Sequence, residues 1–343
     1  MAQSGLHVGV AGVGRIGAFH AATLRGLAPV GRLTIADTDG DRAAELAGRL
    51  GATAAPSVEA LLDSGVDAVV LAVPTPAHAP LLREIAAAGL PAFCEKPVAL
   101  ELDRLDAVTE EVERAGILVQ VGFQRRFDPG YVAARDAVGG GAVGELLALR
   151  GATHDPSPPP ESYIAASGGI FRDLHIHDFD AIRFVTGREI VEVYATGAVR
   201  ETPWFANHGD VDAAAVVLRL DDGTPAVLTG TRRDALGYDV RLEVFGTEDS
   251  VAAGVDGRTP LRSVEPGARP VRDGYRDFLD RFAAAYRAEL AAFVATVRDG
   301  GSSACPLSEA RAALVVALAA DRSRAERRPV PIDEVTGAHA LAR

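Results

Sequence analysis

His7-Val-Gly-Val-Ala11 runs directly into Gly12-Val-Gly14-Arg15-Ile16-Gly17, and a second apolar run, Leu33-Thr-Ile-Ala36, ends at Asp37. The first run reads as a buried strand, Ala18 to Arg25 as a helix, and the second run as another strand. Together they make one βαβ unit with an acid 20 residues after the last glycine. Each glycine has a separate task. The first permits the tight turn, the second lets the backbone approach a pyrophosphate at the helix N-terminus, and the third lets helix and strand pack closely. Asp37 is placed to accept from the ribose hydroxyls of an adenosine. Gly12, Gly14, Arg15, Ile16, Gly17 and Asp37 are therefore the expected dinucleotide-binding residues. A carboxylate at position 37 repels a 2′-phosphate, so NAD is expected before NADP. The nearby Arg32 and Arg42 keep NADP as the alternative.

The α/β alternation continues outward from this unit. Asp39 to Leu50 is amphipathic, and Ser57 is a helix cap for Val58 onward. Asp67-Ala-Val-Val-Leu-Ala-Val73 is the most strand-like run in the chain. It leads into Pro74-Thr75-Pro-Ala-His78, which starts a helix. Ligands of doubly wound sheets sit beyond the carboxyl ends of the strands, so Thr75 and His78 join the expected cofactor set. A simple helix-start histidine is the plainer reading of His78. Leu90 to Cys94 is a short strand ending in Glu95-Lys96-Pro97, where Glu95 and Lys96 reach the same edge and a cis Lys96-Pro97 bond is expected. After a helix over Glu101 to Ala115 and a strand over Ile117 to Val121, the pattern changes at Gly122. A first domain over 1–122 and a second over 123–343 are expected.

Composition narrows the function classes. The chain has 343 residues, 48% hydrophobic and 24% charged, as expected of a folded protein with two cores. Its net charge of −12 and the lack of a basic stripe argue against a nucleic-acid partner. Cys94 and Cys305 have no paired spacing, so neither a disulfide framework nor a metal site is expected. No apolar run has membrane-spanning length and the start has no leader pattern, which points to a cytoplasmic protein.

In the second half, Asp173-Leu-His-Ile-His177 carries the chemistry. On a helix, residues four apart share a face. A carboxylate beside an imidazole fixes its tautomer and raises its basicity, which suits a proton acceptor near neutral pH. The same spacing also suits a structural ion pair. Upstream, Leu146 to Thr153 reads as a strand and the proline-rich His154-Asp155-Pro-Ser-Pro-Pro-Pro160 as a stiff loop. Strands follow over Glu189–Thr196, Val211–Leu220, Pro225–Gly230, Asp239–Phe245 and Asp249–Ala253, with turns that predict antiparallel meanders. Two helices, Asp277–Val297 and Pro306–Arg324, close the chain.

The glycine turn, Glu95-Lys96-Pro97, the Val121-Gly-Phe-Gln-Arg-Arg126 junction and Asp173-x-x-x-His177, in that order, resemble the glucose-fructose oxidoreductase/inositol dehydrogenase/MocA-like family over nearly the whole chain. Ser167 to Asp180, Gly237-Tyr238-Asp239 and Asp155-Pro-Ser-Pro are most similar to its myo-inositol 2-dehydrogenase branch. The resemblance implies an α/β N-terminal Rossmann domain and an α+β C-terminal domain with an open, mostly antiparallel sheet. It implies that the outer face of that sheet joins subunits into a dimer or tetramer. It implies that Lys96, Asp173 and His177 are catalytic, and that Arg126, His154, Asp155 and Tyr238 line a polyol pocket with them. The implied reaction is NAD-dependent oxidation of a ring polyol, myo-inositol first, to a ketone. Sugar and scyllo-inositol dehydrogenases share this machinery. A catalytically inactive dinucleotide-binding sensor is the alternative of another class.

Overall fold

The computed structural model describes residues 5–268, 271 and 273–337. Contacts divide the chain into two units. One holds residues up to 124 together with 286–311, the other residues 125–285 and those from 312 onward.

The first unit is built on six strands: β1 (Leu6–Ala11), β2 (Val30–Ala36), β3 (Thr53–Ala55), β4 (Ala68–Leu71), β5 (Ala92–Glu95) and β6 (Val119–Gly122). They lie in the order β3-β2-β1-β4-β5-β6, every neighbour parallel. Parallel sheets are covered by helices on both faces, so their strands are apolar throughout. Val8, Val10, Ile35, Val70 and Phe93 accordingly have at most 1% of their surface exposed. The order turns outward on both sides of β1 and β4, which is where such sheets open a ligand crevice. The glycine turn after β1 lies there. Ser57 caps its helix as expected, its Oγ accepting from the Ala60 N–H at 3.1 Å.

A single break after Gly122 does not foresee the return of the chain at 286–311. Leu290, Phe293 and Val294 are buried in one cluster with Val8, Val10, Ile35 and Phe93. The Phe93 and Phe293 rings meet edge to face, 5.9 Å apart. The Gln120 amide donates to the Glu289 carbonyl at 3.0 Å, and the Val121 N–H donates to the Cys305 carbonyl at 2.8 Å. The sequence pattern showed two helices here without showing what their apolar residues cover.

The second unit holds β7 (Leu146–His154), β8 (Ile190–Ala198), β9 (Ala213–Leu220), β10 (Pro225–Thr231), β11 (Asp239–Gly246), β12 (Ser250–Ala253) and β13 (Val330–Pro331). Their order is β12-β11-β7-β10-β9-β8-β13. Five of its six neighbouring pairs are antiparallel, as expected, and one parallel pair, β7 with β10, makes the sheet mixed. β9 and β10 form a hairpin through Asp221-Asp-Gly223, but the other edge of β10 takes β7 in parallel, Leu149 facing Ala226 and His154 facing Thr231. On β9, Val216, Leu218 and Leu220 are buried while Val217 and Arg219 are exposed, the period-two pattern of a sheet with one covered face. On the other face Tyr194, Val217 and Val227 stand in one row across three strands, each 39–46% exposed.

A five-residue π-turn, Phe171–His175, leads into the helix Ile176–Thr186. Phe179, Ile182 and Val185 bury its apolar side. A polar knot fixes its start to the sheet. Arg125, 2% exposed, donates to Asp178 and, at 3.0 Å, to the Thr153 hydroxyl. That hydroxyl donates to Asp178 Oδ1 at 2.7 Å, and His175 Nδ1 donates to Asp178 Oδ2 at 2.8 Å. The His175 ring is stacked between Phe171 and Phe179. A side chain at Gly230 would strike it, since a Cβ there would lie 2.4 Å from His175 Nε2. Burial alone would raise the pKa of Asp178, but the charge of Arg125 and the bond from His175 hold it at about 2.

Two stability changes follow. Phe293→Ala should cost about 3–5 kcal/mol in urea unfolding of the first unit, the range for emptying a core aromatic site. Asp178→Asn leaves Arg125 buried without its counter-charge and should cost about 3–5 kcal/mol near pH 7. Asp178 has a lowered folded pKa, so its stabilisation is complete above the unfolded value of about 3.9 and is lost as the pH falls through about 2. The difference between the two proteins should therefore shrink only below about pH 4. An Asp178→Asn protein within about 1 kcal/mol of the parent at pH 7 would show that the knot does not hold the helix.

Candidate active site

The expected site residues divide between the units. In the first, Gly12 has φ +85°, and a Cβ there would lie 2.6 Å from the Ala72 carbonyl oxygen. At Gly17 a Cβ would lie 1.9 Å from the Gly12 carbonyl oxygen. Only glycine permits the turn and the close helix–strand contact. Gly14 differs, because a Cβ there would meet nothing within 4 Å. It opens the helix Arg15–Arg25, whose first turn has no side-chain cap and no acidic residue. Uncapped N–H groups beside open space suit a pyrophosphate. A cleft of about 420 Å³ lined by Val13, Gly14, Arg15, Ala18, Arg42 and Leu46 adjoins it. These residues fit the dinucleotide.

Asp37 follows β2. Its Oδ2 accepts from the Val13 N–H at 2.7 Å, tying the acid to the glycine turn, while Oδ1 accepts from the Asp39 N–H at 2.9 Å and from Arg42. Burial pulls its pKa upward, but these bonds outweigh burial and hold the carboxyl below its ordinary value. It is thus an anion at neutral pH, as the reading of NAD over NADP requires.

Around Glu95-Lys96-Pro97 the Lys96-Pro97 bond is cis. Glu95 Oε1 accepts from His20 Nε2 at 2.7 Å and Oε2 accepts from the Lys96 N–H at 3.2 Å. His20 is fully buried, its ring edge-on to Phe93 and Tyr286. Lys96 is half-buried. His78 is 1% exposed, and its Nδ1 donates to the Pro97 carbonyl at 2.8 Å. Burial pushes its pKa down, so it stays neutral. These contacts give His78 and Glu95 the task of bracing the loop that carries Lys96. Thr75 lines a separate cleft of about 240 Å³ with Pro76, Ala79, Val98 and Leu100.

In the second unit Asp173 lies in the π-turn and His177 in the first turn of the helix after it. Such π-turns are rare and concentrate at functional sites. Asp173 is 7% exposed and His177 half-buried. Asp173 Oδ2 accepts from Arg232 Nη2 at 2.8 Å, and its Oδ1 accepts from the Tyr163 hydroxyl at 2.7 Å. The Asp173 charge, with burial, raises the Tyr163 pKa well above its ordinary value, so the phenol remains a donor. Arg232 Nη1 also donates to Asp155 Oδ2 at 3.0 Å. His154 bonds through Nδ1 to the Thr231 hydroxyl at 2.8 Å, and burial pushes its pKa down. Tyr238 is 6% exposed and packs edge-on against Phe282.

Arg126, which the resemblance implies as a pocket residue, is paired with a buried carboxylate. Its guanidinium makes a bidentate pair with Asp180, at 2.7–3.0 Å, and lies over the Phe184 ring. Arg232 went unnoticed because its partners stand 59 and 77 residues away. Only its position at the end of an expected strand could have drawn attention to it. Among the described residues no His, Cys, Asp and Glu group could hold a metal ion, and no helix is long and apolar enough to cross a membrane.

Comparison with known proteins agrees with this geometry. Residues 6–123 match the profile described as the oxidoreductase family with an NAD-binding Rossmann fold, and residues 131–252 match the GFO/IDH/MocA C-terminal domain. A myo-inositol dehydrogenase of Streptomyces leeuwenhoekii is 42% identical over 92% of this chain and 96% of its own. A myo-inositol 2-dehydrogenase of Thermotoga maritima is 38% identical over 97% of this chain and 100% of its own. The solved structure of a scyllo-inositol dehydrogenase from Lactobacillus casei, with bound NAD(H) and scyllo-inositol, superimposes with a TM-score of 0.87 at 26% identity, covering 96% of this chain and 99% of that one. With a dinucleotide turn in one unit, a carboxylate–imidazole segment in the other and relatives matched along almost their full length, the chain belongs to the GFO/IDH/MocA family of NAD-binding oxidoreductases.

Proposed function

We propose that the protein oxidises a secondary hydroxyl of a ring polyol to a ketone with NAD, and that myo-inositol is the substrate. The observation that carries this reading is the hydrogen-bonded set in the second unit, where Asp155, Asp173, Arg232 and Tyr163 are linked to one another. A ring dense in hydroxyls needs many directional donors and acceptors, and this set supplies both. The relatives named for myo-inositol support the choice of ring.

Bound NAD supplies the hydride acceptor. The chain's own residues manage the proton and the charge. His177 takes the hydroxyl proton on its imidazole. Lys96 stabilises the developing alkoxide as a fixed cation. Asp173 serves as an acceptor for the substrate and as the partner of the His177 imidazole. Its bonds to Arg232 and Tyr163 extend the role first read from spacing, that of a partner to His177 alone. Asp37 holds the adenosine ribose and disfavours a 2′-phosphate.

We further assign the exposed row of Tyr194, Val217 and Val227 to contact with a second copy of the chain. The row is an apolar strip on an exposed sheet face, flanked by Arg150 and Arg219, and such strips mark interaction sites. The two buried free thiols support a cytoplasmic setting.

Initial rates of NADH formation with myo-inositol, scyllo-inositol, glucose and xylose test the substrate. The highest kcat/KM is expected with myo-inositol. A preference for scyllo-inositol would favour the alternative that the Lactobacillus casei structure suggests, and NAD binding with no turnover would leave the sensor reading. His177→Ala should lower kcat by about 10²–10⁴-fold with NAD affinity kept; near-normal turnover would remove His177 as the base. Light scattering should report a dimer or tetramer, and a monomer at micromolar concentration would remove the second-copy assignment.

A further inference from the structure

Asp155 and Asp173 share one guanidinium. Arg232 reaches Asp155 through Nη1 at 3.0 Å and Asp173 through Nη2 at 2.8 Å, with its own side chain 5% exposed. The three residues come from separate segments. Asp155 follows β7, Asp173 lies in the π-turn and Arg232 follows β10. Backbone bonds fix the points from which two of them leave. The Arg232 N–H donates to the Asp212 carbonyl and the Asp155 N–H to the Thr231 carbonyl, both at 2.8 Å.

A buried guanidinium needs a counter-charge, and one carboxylate supplies it. The second carboxylate, Asp155, goes beyond that need; its side chain is 24% exposed where that of Asp173 is 7%, so it keeps an open side while Arg232 fixes its direction. An arginine fork can hold two carboxylates in fixed directions, which a lysine ammonium cannot do as rigidly. A carboxylate offers about four acceptor directions; Arg232 takes one on each partner and Tyr163 a second on Asp173. Acceptors fixed in advance lose little side-chain freedom when a ligand arrives.

We propose that Arg232 is a positioning residue that fixes Asp155 and Asp173 as a pair of acceptors for two hydroxyls of the substrate. This rests on the polyol dehydrogenase reading and extends it, since it assigns the discrimination between a complete polyol and one lacking a hydroxyl to a residue that need not touch the ring. A site built to bond a hydroxyl rejects the analogue without it, because the acceptor is left unpaired.

The test uses the full chain with saturating NAD, as wild type, Arg232→Met and Arg232→Lys. Initial rates are read with myo-inositol and with deoxy-inositols that each lack one hydroxyl. For the wild type, at least one deoxy-inositol should show KM raised about tenfold or more. Arg232→Met should raise KM for myo-inositol by about tenfold or more, bring the complete and deoxy rings to within about threefold of each other, and leave NAD affinity unchanged. Arg232→Lys should recover part of the discrimination. An Arg232→Met enzyme with unchanged KM overturns the proposal. So does one that loses NAD affinity and turns over complete and deoxy rings equally poorly, because that is a general structural loss. If Arg232→Met does not fold, Arg232→Lys decides, and an unchanged ratio of KM values there overturns it. A wild type that binds NAD but oxidises no ring polyol removes the dehydrogenase reading together with this one. An active wild type with an indifferent Arg232→Met removes the Arg232 assignment alone.

Discussion

A charge buried without a partner is among the most expensive things a folded chain can contain, and the second unit is organised by that constraint. Arg125 and Arg232 both lie inside it, 2% and 4% exposed. Each is neutralised by a carboxylate from the segment between Asp173 and Asp178. The two pairs hold that short segment from both ends. The π-turn is thus held at its middle by a guanidinium on Asp173 and just beyond its end by another on Asp178, while the His175 ring fills the space between Phe171 and Phe179. Local sequence preference plays little part here. The irregular turn persists because the surrounding charges leave it few other arrangements.

The first unit is stabilised differently. Its strands are mostly apolar, and at their carboxyl ends Asp37 accepts from Val13 and Glu95 accepts from His20. Both carboxylates brace loops, one the glycine turn and the other the loop of Lys96. The sheet supplies a rigid frame, and a few buried polar bonds aim the glycine turn and the Lys96 loop from it.

Legibility in the sequence followed the range of the interactions. The βαβ unit was readable because its glycines, strands and acid fall within one short stretch and each obeys a local rule. The helix after Ser57 and the strand expected over Val211–Leu220 were readable for the same reason. Asp173 and His177 could be picked out by spacing and by resemblance. What spacing could not show was that Asp173 is held by Arg232 and Tyr163, or that Arg126 is committed to Asp180. Those facts depend on contacts between remote segments, which leave no periodic trace. The parallel pairing of β7 with β10 was hidden likewise, since strand composition does not say which edge a strand will take.

The return of residues 286–311 to the first unit bears on how the chain can be made. A nascent polypeptide that has emerged only as far as Gly122 has the whole parallel sheet but lacks Leu290, Phe293 and Val294, so the cluster around Phe93 is still open to water. The nucleotide-binding half therefore cannot finish its interior during its own synthesis. It must wait, partly uncovered, while more than a hundred and sixty further residues leave the ribosome, and a fragment cut at the apparent boundary would inherit that exposed surface permanently.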